Sequence, residues 1–150
     1  MKVVIQRVTS SSVSIAGKEV ASINGGMLVL AGFTGADSVE DVEWMAGKIM
    51  RLRIFDDSNG VMNLPVTDTG GEILVVSQFT LHAKTRKGNR PSYIEAAVPE
   101  IAIPLYEKFI SVLGTMLQGK VKSGIFGAEM AVSLVNDGPV TIIIDSRNRE

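Results

Sequence analysis

Residues 72–81 read EILVVSQFTL. Ile73 to Val76 is a continuous apolar run opened by the pair Gly70-Gly71, and such a run predicts a strand buried on both faces. The strand is predicted to extend from Glu72 to Leu81, turning polar as it ends, at Ser77, Gln78 and Thr80. Period-two alternation puts Ile73, Val75, Ser77, Phe79 and Leu81 on one face, with Leu74, Val76, Gln78, Thr80 and His82 on the other. The ends of buried strands in α/β proteins line crevices, so this stretch is both a central strand and a candidate site.

Strands dominate outward from it. Val3 to Val8 alternates, and Val13–Ile15 and Val20–Ile23 flank Ala16-Gly17-Lys18, a predicted hairpin in which glycine supplies the positive φ. After the turn Asn24-Gly25-Gly26, Met27 to Ala31 is a second continuous apolar run. The period then changes. Val39, Val42, Met45/Ala46, Ile49 and Leu52 recur at helical spacing and predict a helix from about Ser38 to Leu52, with Asp37 ahead of it and Glu40 three residues on. Asp56-Asp57-Ser58-Asn59-Gly60 is a turn. A second helix is predicted from Leu105 to Leu117, striped by Leu105, Phe109, Val112/Leu113 and Met116. Pro99 and Pro104 fall before it or in its first turn, and Gly119 stops it. Met130–Val135 and Val140–Ile144 close the chain as two strands joined by a turn at Asn136-Asp137-Gly138. The expected fold class is therefore α/β. It is a single compact domain over residues 1–150, with strand-rich layers, one sheet packed on another, and two covering helices.

Composition narrows the chemistry. A chain of 150 residues can bury about two-thirds of its unfolded surface, enough for one core. It has no cysteine, which removes disulfides, thiolate metal sites and cysteine nucleophiles and fits a reducing cytoplasm. The single histidine, His82, rules out His-rich zinc sites and HExxH motifs. No apolar run approaches the ~18 residues that span a bilayer, and the opening MKVVIQRV alternates like a strand rather than reading as a signal peptide. With 15 Lys and Arg against 16 Asp and Glu, the net charge is −1, so any nucleic-acid contact must come from a local patch.

Four stretches could carry chemistry. Thr80 as a nucleophile needs a base within hydrogen-bond reach. His82 lies two residues on, roughly 6.6 Å along a strand, and reads as a surface histidine beside a basic loop. No Ser/His/Asp arrangement exists, so a hydrolase built on this chain rests on positioning, backbone N–H donors and the substrate's own groups. The loop from His82 to Ser92, HAKTRKGNRPS, concentrates Lys84, Arg86, Lys87 and Arg90 without an acidic residue, a patch suited to phosphates or simply to solvent. Gly124-Ile125-Phe126-Gly127-Ala128-Glu129-Met130 offers an aromatic and a thioether, as core packing or as an apolar clamp for a planar base. In Asn136-Asp137-Gly138-Pro139 the proline cannot donate to a ladder and calls for an edge, a strand start or a special geometry. A cis bond is accessible there, because X–Pro prefers trans by only about 0.5–1 kcal/mol.

In combination these stretches are specific. SQFT (Ser77 to Thr80), TRKGNRPS (Thr85 to Ser92), GIFGAEM (Gly124 to Met130) and NDGPVT (Asn136 to Thr141) occur in that order, with KVVIQRV and LRIFDD (Leu52 to Asp57) ahead of them. The whole chain closely resembles the D-aminoacyl-tRNA deacylases. The resemblance implies a cytoplasmic homodimer, without metal or cofactor and away from membranes. Its substrate would be tRNA charged with a D-amino acid or glycine, and its site would lie at the subunit interface. It implies that Ser77, Gln78, Phe79 and Thr80 form the catalytic wall. Gly138-Pro139 would be a cis dipeptide that reaches into the partner's pocket and excludes L side chains. Phe126 and Met130 would cradle the terminal adenine, and Arg86, Lys87 and Arg90 would meet acceptor-stem phosphates. Whether Thr80 attacks or the ribose hydroxyl assists a water stays open. Two other readings are a non-catalytic RNA-binding module and an L-amino-acid editing domain like that attached to some threonyl-tRNA synthetases. Two departures from the family pattern, Phe33 in Gly32-Phe33-Thr34-Gly35 and the tail Ser146–Glu150, are expected to lie away from the site.

Overall fold

A single 14-residue strand, β1 (Lys2–Ile15), organises the sheet. The computed structural model describes residues 1–150. One edge of β1 carries β3 (Gly26–Gly32), antiparallel to Lys2–Val8, and then β2 (Lys18–Ile23), antiparallel to Ser11–Ile15. The other edge carries β8 (Ala131–Asp145) along almost its whole length. Next to β3 come β6 (Glu72–Ser77) and then β7 (Val121–Ser123), both parallel. A short hairpin of β4 (Phe55–Asp56) and β5 (Met62–Leu64) stands apart. The helices are α1 (Val39–Arg51) and α2 (Pro99–Met116).

Alternation explains the layers. On β3 and β6, Met27, Val29, Ile73 and Val75 face Val42, Met45 and Ile49 of α1 and Phe109 and Leu113 of α2. The opposite side chains, Leu28, Leu74 and Val76, join Val8, Val13 and Ile23 in a second core, against which Met130, Val132 and Leu134 pack. Thr9 links the two. It is an extra residue on β1, since Val8 pairs Asn136 and Ser10 pairs Val135, and a bulge of this kind turns the alternation over. Val3 and Ile5 therefore face the helices while Val13, of the same parity, faces the other core. One α/β domain results, in which a curled, nearly closed sheet replaces the expected pair of stacked sheets.

Other differences have local causes. The polar run Thr9–Ser12 belongs to β1 rather than separating two strands, because β8 supplies ladder partners for Ser10, Ser11 and Ser12. Asn136-Asp137-Gly138 is no hairpin turn: both flanking segments are one strand on the same neighbour. The strand from Glu72 stops at Ser77, not Leu81. The N-cap of α1 is Ser38, whose N–H donates to Asp41 at 2.9 Å, so Glu40 plays no part in the box. Pro99 is the first residue of α2, whereas Pro104 lies inside it on the exposed side. The hairpin at Ala16-Gly17 is as predicted, with φ of 50° and 78°.

Asp37, displaced from capping, takes up a buried charge. Its carboxylate accepts from the Met1 ammonium at 2.5 Å, the Thr34 N–H at 2.7 Å and Arg147 Nε at 3.1 Å, while Ser146 also meets the ammonium. Burial alone would raise its pKa, but the hydrogen bonds and the ammonium charge outweigh that and hold it below the ordinary 3.8. A depressed carboxylate stabilises the fold fully above its unfolded value and loses that contribution as pH falls through the folded one. Asp37→Asn should therefore cost about 3 kcal/mol in urea unfolding at neutral pH, as expected when one member of a buried pair is removed. The gap to wild type should shrink below about pH 4.

Candidate active site

β3 and β6 end side by side, Ala31 pairing Ser77. One more bond follows, from Gln78 N–H to the Ala31 carbonyl at 2.8 Å, and then the chain leaves the sheet as a 3-10 turn over Phe79–His82. Gly32 makes room for that turn. A Cβ there would lie 2.6 Å from the Gln78 carbonyl oxygen and 3.2 Å from His82 Cδ2. The turn folds His82 inward, so it is buried rather than a surface residue, with its Nε2 unpartnered.

Where the two strands stop, a cavity of about 250 Å³ opens. Ala31, Gly32 and Val76 form its floor, and Ser77, Gln78 and Phe79 one wall. Phe126, Gly127, Ala128 and Met130, from the loop after β7, form the facing wall, with Ala97 and Ala102 closing the side. Tyr106 of α2 braces the loop: its hydroxyl reaches the Val75 carbonyl at 3.2 Å and that of Gly124 at 3.4 Å, and its ring packs on Phe126 at 5.7 Å. Burial pushes this hydroxyl up to about 12, so it remains a neutral donor. No lining residue is ionisable. Nor does the chain gather three His, Asp or Glu side chains into a group that could hold a metal.

The cavity thus brings together Ser77, Gln78, Phe79, Phe126 and Met130. Thr80 stands outside the lining, and its hydroxyl accepts from Gln78 Nε2 at 2.6 Å. Phe33, expected to lie away from the site, is in the lining, because the residue after Gly32 turns inward as β3 ends. The tail does keep away, with Arg149 over Trp44 at 4.2 Å. Arg86, Lys87 and Arg90 are exposed on a loop whose stem is a pair of backbone bonds between Lys84 and Ser92, and none of the three has a carboxylate partner.

Gly138 and Pro139 do not line the cavity of their own chain. Their peptide bond is cis, and they belong to a protrusion: between Asn136, which pairs Val8, and Thr141, which pairs Gln6, four residues stand opposite Arg7 alone. Arg7 is the residue sequence reading missed. Buried, it donates from Nε to the Asp137 carbonyl at 3.1 Å and from Nη1 to the Ile54 carbonyl at 2.8 Å, and it pairs with the carboxylates of Asp56 and Asp137. The signal was a lone cation at an inward position of an apolar strand. Gly138 fits beside it, with φ of 127°, where a Cβ would sit 3.1 Å from Arg7 Nη2.

Fold and cavity together define a class, the tRNA-deacylase fold. A solved structure of a probable eukaryotic D-amino acid tRNA deacylase shares the fold at a TM-score of 0.82 and 18% identity, covering 95% of this chain and 97% of that one. The c-Myc DNA Unwinding Element Binding Protein matches at a TM-score of 0.92 and 41% identity, over 97% and 98%. The family described as D-Tyr-tRNA(Tyr) deacylase matches residues 4–145. The D-aminoacyl-tRNA deacylases of Flavobacterium psychrophilum and Cytophaga hutchinsonii are 63% and 60% identical over 150 residues, covering 100% of each chain. The chain belongs to the D-Tyr-tRNA(Tyr) deacylase family.

If Arg7 holds the protrusion, Arg7→Ala should loosen it. Hydrogen exchange at the Val140 amide, which donates to Asn136 Oδ1 at 3.1 Å, is expected to quicken at least ~10-fold, with amides of β3 and β6 unchanged.

Proposed function

We propose that this protein hydrolyses the ester between a D-amino acid and the terminal adenosine of tRNA, working as a cytoplasmic homodimer. The observation that carries the reading is the cavity itself. Ser77, Gln78 and Phe79 face Phe126 and Met130 across an apolar slot, in a chain of this family. Adenine lies between Phe126 and Met130, where a planar base gains stacking and thioether contact. The aminoacyl group then points to the strand end. Phe79 and Thr80 open the 3-10 turn, so their N–H groups have no acceptor within it and suit the oxyanion of the tetrahedral intermediate.

Thr80 is a poor nucleophile here. Its hydroxyl is engaged by Gln78, and neither His82 nor any carboxylate hydrogen-bonds to it. The substrate's ribose hydroxyl, held beside the ester, assists a water instead. The carbonyls of Gly138 and Pro139 come from the second subunit and crowd the α-carbon on the side where an L side chain projects. Support for the dimer lies in β8. It pairs only β1 and leaves a long free edge, with Val135 and Ile143 56% and 67% exposed. Main-chain atoms cannot swing away, whereas a hydrophobic slot discriminates a methylene by only ~1–3 kcal/mol. Glycine lacks a Cβ and passes the same gate. Arg86, Lys87 and Arg90 bind acceptor-stem phosphates.

One tRNA charged in turn with D-Tyr, Gly and L-Tyr tests this. The first two esters should be lost and the third should persist. Equal loss of D and L removes the gate, and binding without turnover makes the chain an RNA-binding module. In single-turnover assays Thr80→Ala should keep most of its rate, whereas loss of a true nucleophile costs on the order of 10⁴-fold or more.

A further inference from the structure

Beyond the cavity lining, two aromatic rings present surface that this chemistry does not use. Phe79 is 56% exposed and Tyr93 40% exposed, and they meet edge to face with centroids 5.1 Å apart and planes at 76°. Beside them Ile94 is 87% exposed. An edge-to-face pair leaves ring surface open for another flat π-system. Tyr93 is also held firmly from behind: it follows directly on the Lys84–Ser92 stem, and its carbonyl accepts from Ala96 N–H at 3.0 Å.

The charges around the pair are one-sided. Arg86, Lys87 and Arg90 lie on the loop above the stem without carboxylate partners, while Glu95, the nearby acid, is neutralised by Lys84 at 3.0 Å. Flat apolar surface beside unpaired cations matches single-stranded nucleic acid, which offers a base face and a phosphate in every residue. Within the proposed dimer, a protein surface closed over these rings fits less well, since it would bury three cations without counter-charges. Phe79 itself lines the cavity, so the open face continues directly from it.

We propose that Phe79 and Tyr93 form a stacking platform for the unpaired nucleobase that precedes the terminal adenosine, on the strand that runs back to the acceptor-stem phosphates assigned to Arg86, Lys87 and Arg90. This rests on the reading of the cavity as the terminal-adenosine site. The platform would let a slot of about 250 Å³ favour a charged RNA end over a free nucleoside ester: the second base is gripped outside it.

The test uses Tyr93→Ala and Tyr93→Trp in the intact protein. Two ligands are titrated, an RNA tetranucleotide ending in CCA and adenosine, and two esters are assayed, D-tyrosyl-tRNA and D-tyrosyl-adenosine. Tyr93→Ala should weaken tetranucleotide binding about tenfold, leave adenosine binding unchanged, and raise KM for the charged tRNA with little effect on kcat. Tyr93→Trp should restore both. Equal loss on both ligands would show that Tyr93 merely shapes the cavity, and loss on neither would show that no base stacks there. A shift in oligomeric state on light scattering, with tetranucleotide affinity unchanged, would assign the patch to a contact between copies. Should wild type cleave neither ester, the reading of the cavity fails, and the tetranucleotide titration still decides the platform.

Discussion

A guanidinium group inside an apolar sheet is the constraint from which the shape of β8 follows. Burying such a charge costs several kcal/mol unless its donors are met, and Arg7 meets them with two carbonyls and two carboxylates, all from outside its own strand. The Asp137 carbonyl can reach it only if β8 leaves the ladder, so four residues stand opposite one. The protrusion is ordered because the same bonds hold it. Asn136 completes the anchorage, accepting from Val140 N–H and donating to Thr141 Oγ1 at 3.1 Å each.

The cavity rests on a second constraint, the close approach at Gly32. Two parallel strands that stop at the same level leave a step, and the 3-10 turn folds over it only because Gly32 has no side chain. The step and the turn supply floor and wall. Tyr106 then ties the opposite loop to Val75 of β6, so the two walls share one strand and keep their separation.

Much of this was legible where the signal is local. The continuous apolar runs at 27–31 and 73–76 marked β3 and β6 as buried on both faces, and helical spacing located α1 and most of α2. What misled were residues whose local chemistry has two outcomes. Asn-Asp-Gly-Pro between apolar segments reads as a hairpin, and nothing nearby says that both segments pair the same strand. Phe79, Thr80 and Leu81 fit a strand by composition, yet the tertiary approach of Gly32 curls them into a turn. Phe33 and His82 changed places for the same reason, the first entering the cavity and the second the interior. The polar strand end at Ser77 and Gln78 and the Gly-bounded turn with Phe126 and Met130 were legible as candidates, the resemblance joined them with Phe79, and the structure brings all five to one cavity.

A cavity without a single ionisable side chain constrains what chemistry its walls can perform. It cannot supply a general base from its lining, so its means are fixed dipoles and alignment of groups the substrate brings. Those means belong to the main chain. N–H groups at the start of a turn keep their direction whatever side chain approaches them, and an apolar surround strengthens their field by lowering the local dielectric. The proposed selection by configuration asks for the same property, because a wall meant to refuse every L side chain while admitting varied D ones has to be rigid at the α-carbon and indifferent beyond it. Gly32 and Gly138 are then more than permissive residues: the first lets the Gln78 carbonyl approach where a Cβ would hold it off, and the second leaves room for the side chains of Val140 and Arg7.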